Sequence, residues 1–186
     1  MEKIILASGS PRRKQLLQWA EVAFDIVVSD ADESYPSHLS FEETAIYIAR
    51  NKALAVQHLN NDDAIVLAAD TIVVCNNKII GKPKGREDAV TILKELSGNT
   101  HKVITGVAIL KNQLQHCFAD VTTVVFHELS QDQIEFYVDK YKPYDKAGAY
   151  AIQEWIGVVG IQKIDGDFYN VMGLPVSRVV QALEQF

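Results

Sequence analysis

Short apolar runs and amphipathic stretches alternate along this chain. Compact apolar runs are typical of strands, and apolar positions at steps of three and four are typical of helices. The pattern predicts strands over residues 3–8, 24–28, 64–69, 102–110 and 117–126, a hairpin over 72–80 that turns at Asn76-Asn77, and short strands near 158–164 and 168–171. It predicts helices over residues 11–20, from Ser40 onward, over 86–96 and 131–141, and after Pro175. Strands joined both by helices and by hairpins predict a mixed sheet in an α/β domain.

The helix after Ser40 has the clearest signals. Ser40 and Glu43 have the spacing of a capping box, in which each residue's side chain satisfies the other's backbone N–H. Its predicted inward stripe consists of Phe41, Ala45, Ile48, Lys52, Ala55 and Leu59. A lysine in such a stripe either extends its ammonium to solvent or meets an anion, and the pattern leaves both readings open.

The stretch LASGSPRRKQLL, residues 6–17, runs from an apolar segment through a small-residue turn into a helix. Pro11 suits the first helical position, where its missing N–H costs nothing. N–H groups of the turn at Ser8 and Ser10 would face outward at the positive end of the helix, next to Arg12 and Arg13. The stretch therefore predicts an anion site, although a plain turn with solvated arginines fits it equally well.

Carboxylates supply a second candidate chemistry. Asp70 follows the apolar run 64–69, so we expect it at the end of a strand, and the loop 29–38 contains Asp30, Asp32 and Glu33. Carboxylate oxygens of this kind hold Mg²⁺, which commonly bridges to substrate phosphates. The plainer alternatives are a turn aspartate at Asp70, solvated loop charges at Lys82 and Lys84, and a surface amide at Gln153.

Composition narrows the function classes. With 186 residues, 48% of them hydrophobic and 23% charged, the chain is expected to fold as a single globular domain. Its net charge of -6 argues against a broad nucleic-acid surface. It lacks a membrane-length apolar run, and its apolar start is too short for a signal peptide, so we expect a cytoplasmic protein.

The absence of common metal-binding and nucleotide-binding motifs excludes further classes of protein. Cys75 and Cys117 lack the CxxC spacing and are expected to be buried and reduced, and the five histidines show no zinc-ligand spacing. The chain has no GxxxxGK[ST], no GxGxxG after a strand and no GxSxG. These absences argue against a P-loop NTPase, a dinucleotide-binding domain and an α/β-hydrolase.

Taken in order, the motifs resemble those of one family. LASGSPRRKQLL, ARNKA, AADTIV, GKPKGREDAVTILKELSGNTHKVITGVA, DKAGAYAIQ and NVMGLPVSRV are similar to the Maf family of nucleoside triphosphate pyrophosphatases, and the resemblance covers essentially the whole chain from Ile4. It implies a Maf/inosine-triphosphatase-like α/β fold, with a mixed sheet flanked by helices and two lobes around a central cleft. It also implies hydrolysis of a nucleoside triphosphate to the monophosphate and pyrophosphate with Mg²⁺ or Mn²⁺.

The resemblance also implies roles for particular residues. Asp70 corresponds to the proton acceptor, and Asp70 with Glu33 would hold the metal. Arg12, Thr71 and Gln153 correspond to the residues of the branch that acts on dTTP and UTP; the branch acting on 7-methyl-GTP has Trp and Glu in place of this arginine and glutamine. The remaining substrate contacts fall on Ser8, Ser10, Arg13, Lys52 and Lys82. Modified uridine or cytidine nucleotides are further candidate substrates.

Partners and rival functions follow from the same comparison of motifs. The resemblance implies nucleoside triphosphate substrates, a homodimer and a link to cell division. Composition and net charge predict no membrane partner and no stable nucleic-acid partner. The main alternative is a nucleotide-sensing regulatory module of septum formation. A phosphatase or kinase-like transferase acting on the terminal phosphate is a second. A single-strand nucleic-acid binder is disfavoured by the acidic charge and by the few aromatic residues near the basic clusters.

Overall fold

The computed structural model describes residues 3–28, 31–59 and 63–186, so Asp30 lies outside the described residues. Its chain divides into two compact units. The first contains Met1–Thr71, Thr105–Asp120 and Gly173–Phe186, and the second contains Ile72–Ile104 and Val121–Met172. The expectation of a single domain around a central cleft stays a prediction.

The described strands form a seven-stranded mixed sheet flanked by helices, which confirms the predicted α/β class. The strands are β1 (Ile4–Leu6), β2 (Phe24–Ile26), β3 (Val66–Cys75), β4 (Lys78–Ile80), β5 (Thr100–Lys111), β6 (Leu114–Phe126) and β7 (Ile161–Asp165). The helices are α1 (Pro11–Trp19), α2 (Phe41–Gln57), α3 (Arg86–Leu96), α4 (Gln131–Tyr141), α5 (Trp155–Gly160), α6 (Phe168–Met172) and α7 (Val176–Leu183), with a 3₁₀ turn at Ala147–Ala149.

The sheet order is β2-β1-β3-β5-β6-β7, with β4 paired to β3. β1 is parallel to both β2 and β3, whereas the β3–β4 and β6–β7 pairs are antiparallel. Within the described segments, no helix combines the length and apolar character that a membrane span requires.

In the first unit, α2 packs closely on β5. The capping box at its start is formed: the Glu43 N–H donates to Ser40 Oγ at 3.2 Å, and the Ser40 N–H donates to Glu43 Oε2 at 2.8 Å. A Cβ added to Gly106 on β5 would lie 2.1 Å from the carbonyl carbon of Ala45. Only glycine permits this approach, so the backbone of α2 lies directly against the strand.

The predicted inward stripe of α2 is correct at Ala45 and Ile48 and wrong at its C-terminal end. Ala53 and Val56 are buried there, whereas Leu59 is 73% exposed. The physical reason is that α2 ends at Gln57, so Leu59 no longer follows the helical period.

The prediction that a strand stops at Asp70 is also wrong, because β3 continues from Val66 to Cys75. Strand hydrogen bonds use backbone groups, so the ladder continues through Asp70 and Thr71, whose side chains have their own partners. The predicted turn at Asn76-Asn77 is confirmed, with φ values of 49° and 59°. Two successive positive φ values are what a two-residue hairpin turn requires, and asparagine tolerates them.

In the second unit, α3 and α4 agree with prediction, and Ser130 caps α4 through a capping box with Gln133. The strand predicted over 168–171 is instead helix α6, whose start is held by the Tyr169 N–H donating to Asp167 Oδ1 at 2.7 Å. The strand predicted near 158–164 begins only at Ile161, after α5. Short apolar segments of this kind do not distinguish strand from helix by periodicity.

The two cysteines differ in environment. Cys75 is buried, as predicted, whereas Cys117 is only half-buried, which corrects the expectation for that residue. Burial raises the pKa of both thiols. A raised pKa lowers the thiolate fraction at neutral pH and therefore the reactivity of both residues.

A buried hydrogen bond joins two titratable residues in the second unit. His101 Nε2 lies 2.7 Å from the hydroxyl of Tyr150, and both rings contact Phe126 edge-on. His101 Nδ1 has no hydrogen-bond partner among the described residues. Burial lowers the pKa of His101 to about 4 and raises the pKa of Tyr150.

This environment predicts that stability depends on pH. The unfolded histidine binds a proton near pH 6.5, whereas the folded one stays neutral down to about pH 4. The free energy of unfolding should therefore fall as the pH is lowered through this window, by about 2 kcal/mol between pH 7.5 and pH 4.5 from His101 alone.

Urea denaturation of wild type and His101→Gln at the two pH values measures this contribution. The variant should be less sensitive to acid than wild type, and His127→Gln, which changes an exposed histidine, should match wild type. Equal acid sensitivity in all three proteins would contradict the prediction.

Candidate active site

The SGSP turn connects β1 to α1 as predicted, but its N–H groups are partly used. The Ser10 N–H donates to Ser8 Oγ at 3.2 Å, and Ser10 Oγ caps α1 by accepting the Arg13 N–H at 3.5 Å. Pro11 occupies the first helical position. The two serine hydroxyls therefore already stabilise the turn, and the expectation of a freely exposed N–H group is corrected at Ser10.

Arg13 connects three segments of the first unit. Its guanidinium donates from Nη1 to Ser8 Oγ at 3.1 Å, from Nη2 to Thr71 Oγ1 at 3.0 Å and from Nε to the Gly173 carbonyl at 2.8 Å. Burial lowers the pKa of Arg13, Asp70 opposes that shift, and the nearby positive charge of Arg12 adds to it. An arginine suits this position because its planar fork holds several acceptors in fixed directions.

Thr71 is the centre of a further set of contacts. Its hydroxyl lies 2.9 Å from the hydroxyl of Thr105, which is fully buried on β5, and 3.4 Å from the Gly173 carbonyl. Sequence reasoning did not single out Thr105 or Gly173. The available signal for Thr105 was a polar residue within the apolar run VITGVAIL.

Lys52 meets anions rather than solvent, which resolves the two readings of the α2 stripe. Its ammonium lies 2.6 Å from Asp70 Oδ1 and 2.6 Å from Glu33 Oε1. The side chains of Lys52 and Asp70 are each 15% exposed, whereas Glu33 is 57% exposed. The structure thus brings together three of the predicted site residues around one positive charge.

The same arrangement fits a divalent cation. Asp70 and Glu33 both place a carboxylate oxygen next to the Lys52 ammonium. Mg²⁺ prefers oxygen ligands of this kind. The Asp32 carboxylate accepts hydrogen bonds from the N–H and hydroxyl groups of Ser34, which lower its pKa. Over the parts of the chain that the structure describes, no group of three histidine, cysteine or acidic residues is placed to hold a metal. A cation here would complete its shell with water or phosphate oxygens.

The second unit contains the two other predicted residues, Lys82 and Gln153, both exposed. Lys82 lies in the loop between β4 and α3, which is held by the Gly148 N–H donating to the Gly81 carbonyl at 3.2 Å. Gln153 lies in the turn between the 3₁₀ segment and α5. Arg12, in the first unit, is half-buried in the first turn of α1.

Comparison with known proteins identifies relatives along the whole chain. The family described as Maf-like protein matches residues 3–186. A protein from Bacteroides fragilis (strain YCH46), named dTTP/UTP pyrophosphatase, is 48% identical over 184 residues, covering 98% of this chain and 95% of its own. A protein of the same name from Cytophaga hutchinsonii is 50% identical over 182 residues, covering 98% of this chain and 83% of its own.

Among solved structures, the Staphylococcus aureus Ham1 protein covers 99% of this chain and 98% of its own, with a TM-score of 0.50 and 17% identity. At that identity the likeness concerns the fold alone, and it supports the predicted Maf/inosine-triphosphatase-like fold. The motifs, the fold and the family match over residues 3–186 together establish that this chain belongs to the Maf family.

Proposed function

We propose that this protein hydrolyses dTTP and UTP to the nucleoside monophosphate and pyrophosphate. The observation that carries the proposal is the cluster of Asp70, Lys52 and Glu33, in a chain 48% and 50% identical to proteins named dTTP/UTP pyrophosphatase. Such a cluster combines a proton acceptor, a phosphate-binding cation and a set of metal-binding oxygens.

We assign the role of general base to Asp70. Its carboxylate is largely shielded from solvent, and the Lys52 ammonium holds one of its oxygens at 2.6 Å. In the proposed reaction, a water molecule attacks the α-phosphorus and gives a proton to Asp70. A new P–O bond forms, the bond from the α-phosphorus to the α–β bridging oxygen breaks, and pyrophosphate leaves.

Asp70 and Glu33 would also hold Mg²⁺ or Mn²⁺, so Asp70 serves as base, metal ligand or both. When bound, the metal supplies positive charge at the phosphate oxygens and lowers the pKa of a coordinated water. Lys52 would then transfer its contact from the carboxylates to the phosphate chain, where an ammonium offers three donors.

The remaining cationic groups would hold the triphosphate. Arg13 uses three of its N–H donors within the described residues, and a guanidinium has five, so two remain for phosphate oxygens. Ser8 and Ser10, which shape the turn, and the exposed Lys82 complete the proposed phosphate contacts. Charge developing on the leaving pyrophosphate is stabilised by donors of this kind.

Selection of the base is assigned to Gln153, Thr71 and Arg12. The Gln153 amide has both a donor and an acceptor, which matches the acceptor and donor on the edge of uracil or thymine. Because the Thr71 hydroxyl contacts Arg13 and Thr105, we assign its effect to the placement of Arg13. Modified uridine and cytidine nucleotides, a homodimer, a cytoplasmic location and a role in cell division stay predictions.

The direct test is to incubate purified protein with a panel of NTPs and dNTPs, with Mg²⁺ or Mn²⁺ and with a chelator, and to separate the products. We expect metal-dependent UMP and TMP together with pyrophosphate. Orthophosphate with nucleoside diphosphate would identify the terminal-phosphate alternative. Binding without turnover in folded protein would favour the nucleotide-sensing module.

Asp70→Asn should lower kcat by about 100-fold or more, because an amide cannot accept the proton. Nucleotide binding, measured by calorimetry, should persist. Asp63→Asn, which changes an exposed aspartate, serves as the control and should match wild type. Wild-type turnover by folded Asp70→Asn would refute the assigned role.

Gln153→Glu should lower kcat/KM for dTTP and UTP by about tenfold, since the carboxylate lacks the N–H donor and leaves a base acceptor unpaired. The control is Gln162→Glu, on exposed β7. A substrate profile identical to that of wild type would remove Gln153 from base selection.

A further inference from the structure

Hydrogen bonds on both sides of Gln153 hold the turn that presents it. Ala151 and Ile152 are each 4% exposed, whereas Gln153 is exposed. The Glu154 N–H closes the turn onto the Ala151 carbonyl at 3.1 Å, and the Glu154 carbonyl accepts N–H groups from the first turn of α5. Gln153 is therefore a solvent-facing amide on a backbone whose neighbours are anchored.

The hydroxyl of Tyr137 anchors both of the residues that bracket this turn. Tyr137 is fully buried on α4. Its oxygen accepts the Ala151 N–H at 3.2 Å, and its O–H donates to the Glu154 carboxylate. One phenol thus connects the residue two positions before Gln153 with the residue directly after it.

Lys146 extends this network on the other side of Glu154. Its ammonium lies 3.6 Å from Glu154 Oε1 and 2.9 Å from Asp145 Oδ1, and the Lys146 side chain is only 10% exposed. Lys146 precedes the 3₁₀ turn whose Gly148 N–H binds the carbonyl of Gly81, the residue before Lys82. The network therefore joins the segments that present Lys82 and Gln153.

Close packing of α5 leaves the turn little room to shift. A Cβ at Gly157 would lie 1.7 Å from the Ile152 carbonyl oxygen. Only a residue without a side chain allows α5 to begin at this distance from the turn.

We propose that Tyr137, Glu154 and Lys146 are positioning residues that set base selectivity by fixing the backbone on either side of Gln153. The inference rests on the proposed function. An amide at the end of two methylenes discriminates between bases only if its backbone is held, because a mobile turn would let it follow the hydrogen-bonding edge of any base.

The test compares Tyr137→Phe, Glu154→Ala and Glu154→Gln with wild type, measuring kcat and KM for dTTP, UTP, CTP and GTP. Tyr137→Phe and Glu154→Ala should lower the preference for dTTP and UTP by about fivefold to tenfold, through KM and with kcat largely kept. Glu154→Gln retains an acceptor for the phenol and should restore most of the preference. Tyr141→Phe, the same change one turn along α4, should behave as wild type.

A double-mutant cycle separates positioning from a general structural effect. In a Gln153→Ala background, Tyr137→Phe should change selectivity no further, since its effect passes through the missing amide. Unchanged selectivity in the folded single variants, or an equal loss for all four nucleotides, would overturn the inference. Absence of dTTP and UTP hydrolysis by wild type would instead overturn the proposed function.

Discussion

The ion pair between Lys52 and Asp70 is the interaction on which the candidate site depends. Each side chain is 15% exposed, and charges so shielded are costly unless each has a partner. The pair forms because α2 lies against β5 at Gly106, where Ala45 faces the strand. Lys52 follows Ala45 by seven residues, about two helical turns, and therefore shares its sheet-facing side. The packing of two small residues thus determines where the lysine ammonium lies.

A second constraint acts on the residue next to Asp70. Thr71 contacts Arg13 and Thr105, whereas Asp70 contacts Lys52. Different partners are expected because successive side chains along a strand point to opposite faces of the sheet. Arg13 in turn fixes the serine turn and the Gly173 carbonyl. Adjacent positions of β3 therefore serve an acidic cluster and an arginine network, which is how one strand contributes both proposed base chemistry and proposed phosphate binding.

In the second unit, buried contacts likewise hold the segment that carries an exposed candidate residue, Gln153. Gln153 lies in a solvent-facing turn, and hydrogen bonds of buried residues around it hold the backbone of that turn. Tyr150, three residues before Gln153, is hydrogen-bonded to buried His101. Tyr137 binds Ala151 before Gln153 and Glu154 after it. Membership of the Maf family supports the proposed reaction, and the base selectivity proposed for Gln153 rests on the hydrogen bonds that hold its backbone.

The sequence by itself determined the features that depend on neighbouring residues: the Ser40–Glu43 capping box, the Asn76-Asn77 turn, the α/β class and, through its motifs, the family. Lys52 was recognisable as anomalous because a charge interrupted an apolar stripe. Its pairing with Asp70 and Glu33 was not recognisable, and neither were the roles of Thr105, Gly173 and Tyr137. These contacts join distant segments, such as Arg13 and Gly173, which are 160 residues apart. The continuation of β3 and the helical state of α6 were likewise decided by tertiary structure, since packing overrides local preference in short segments.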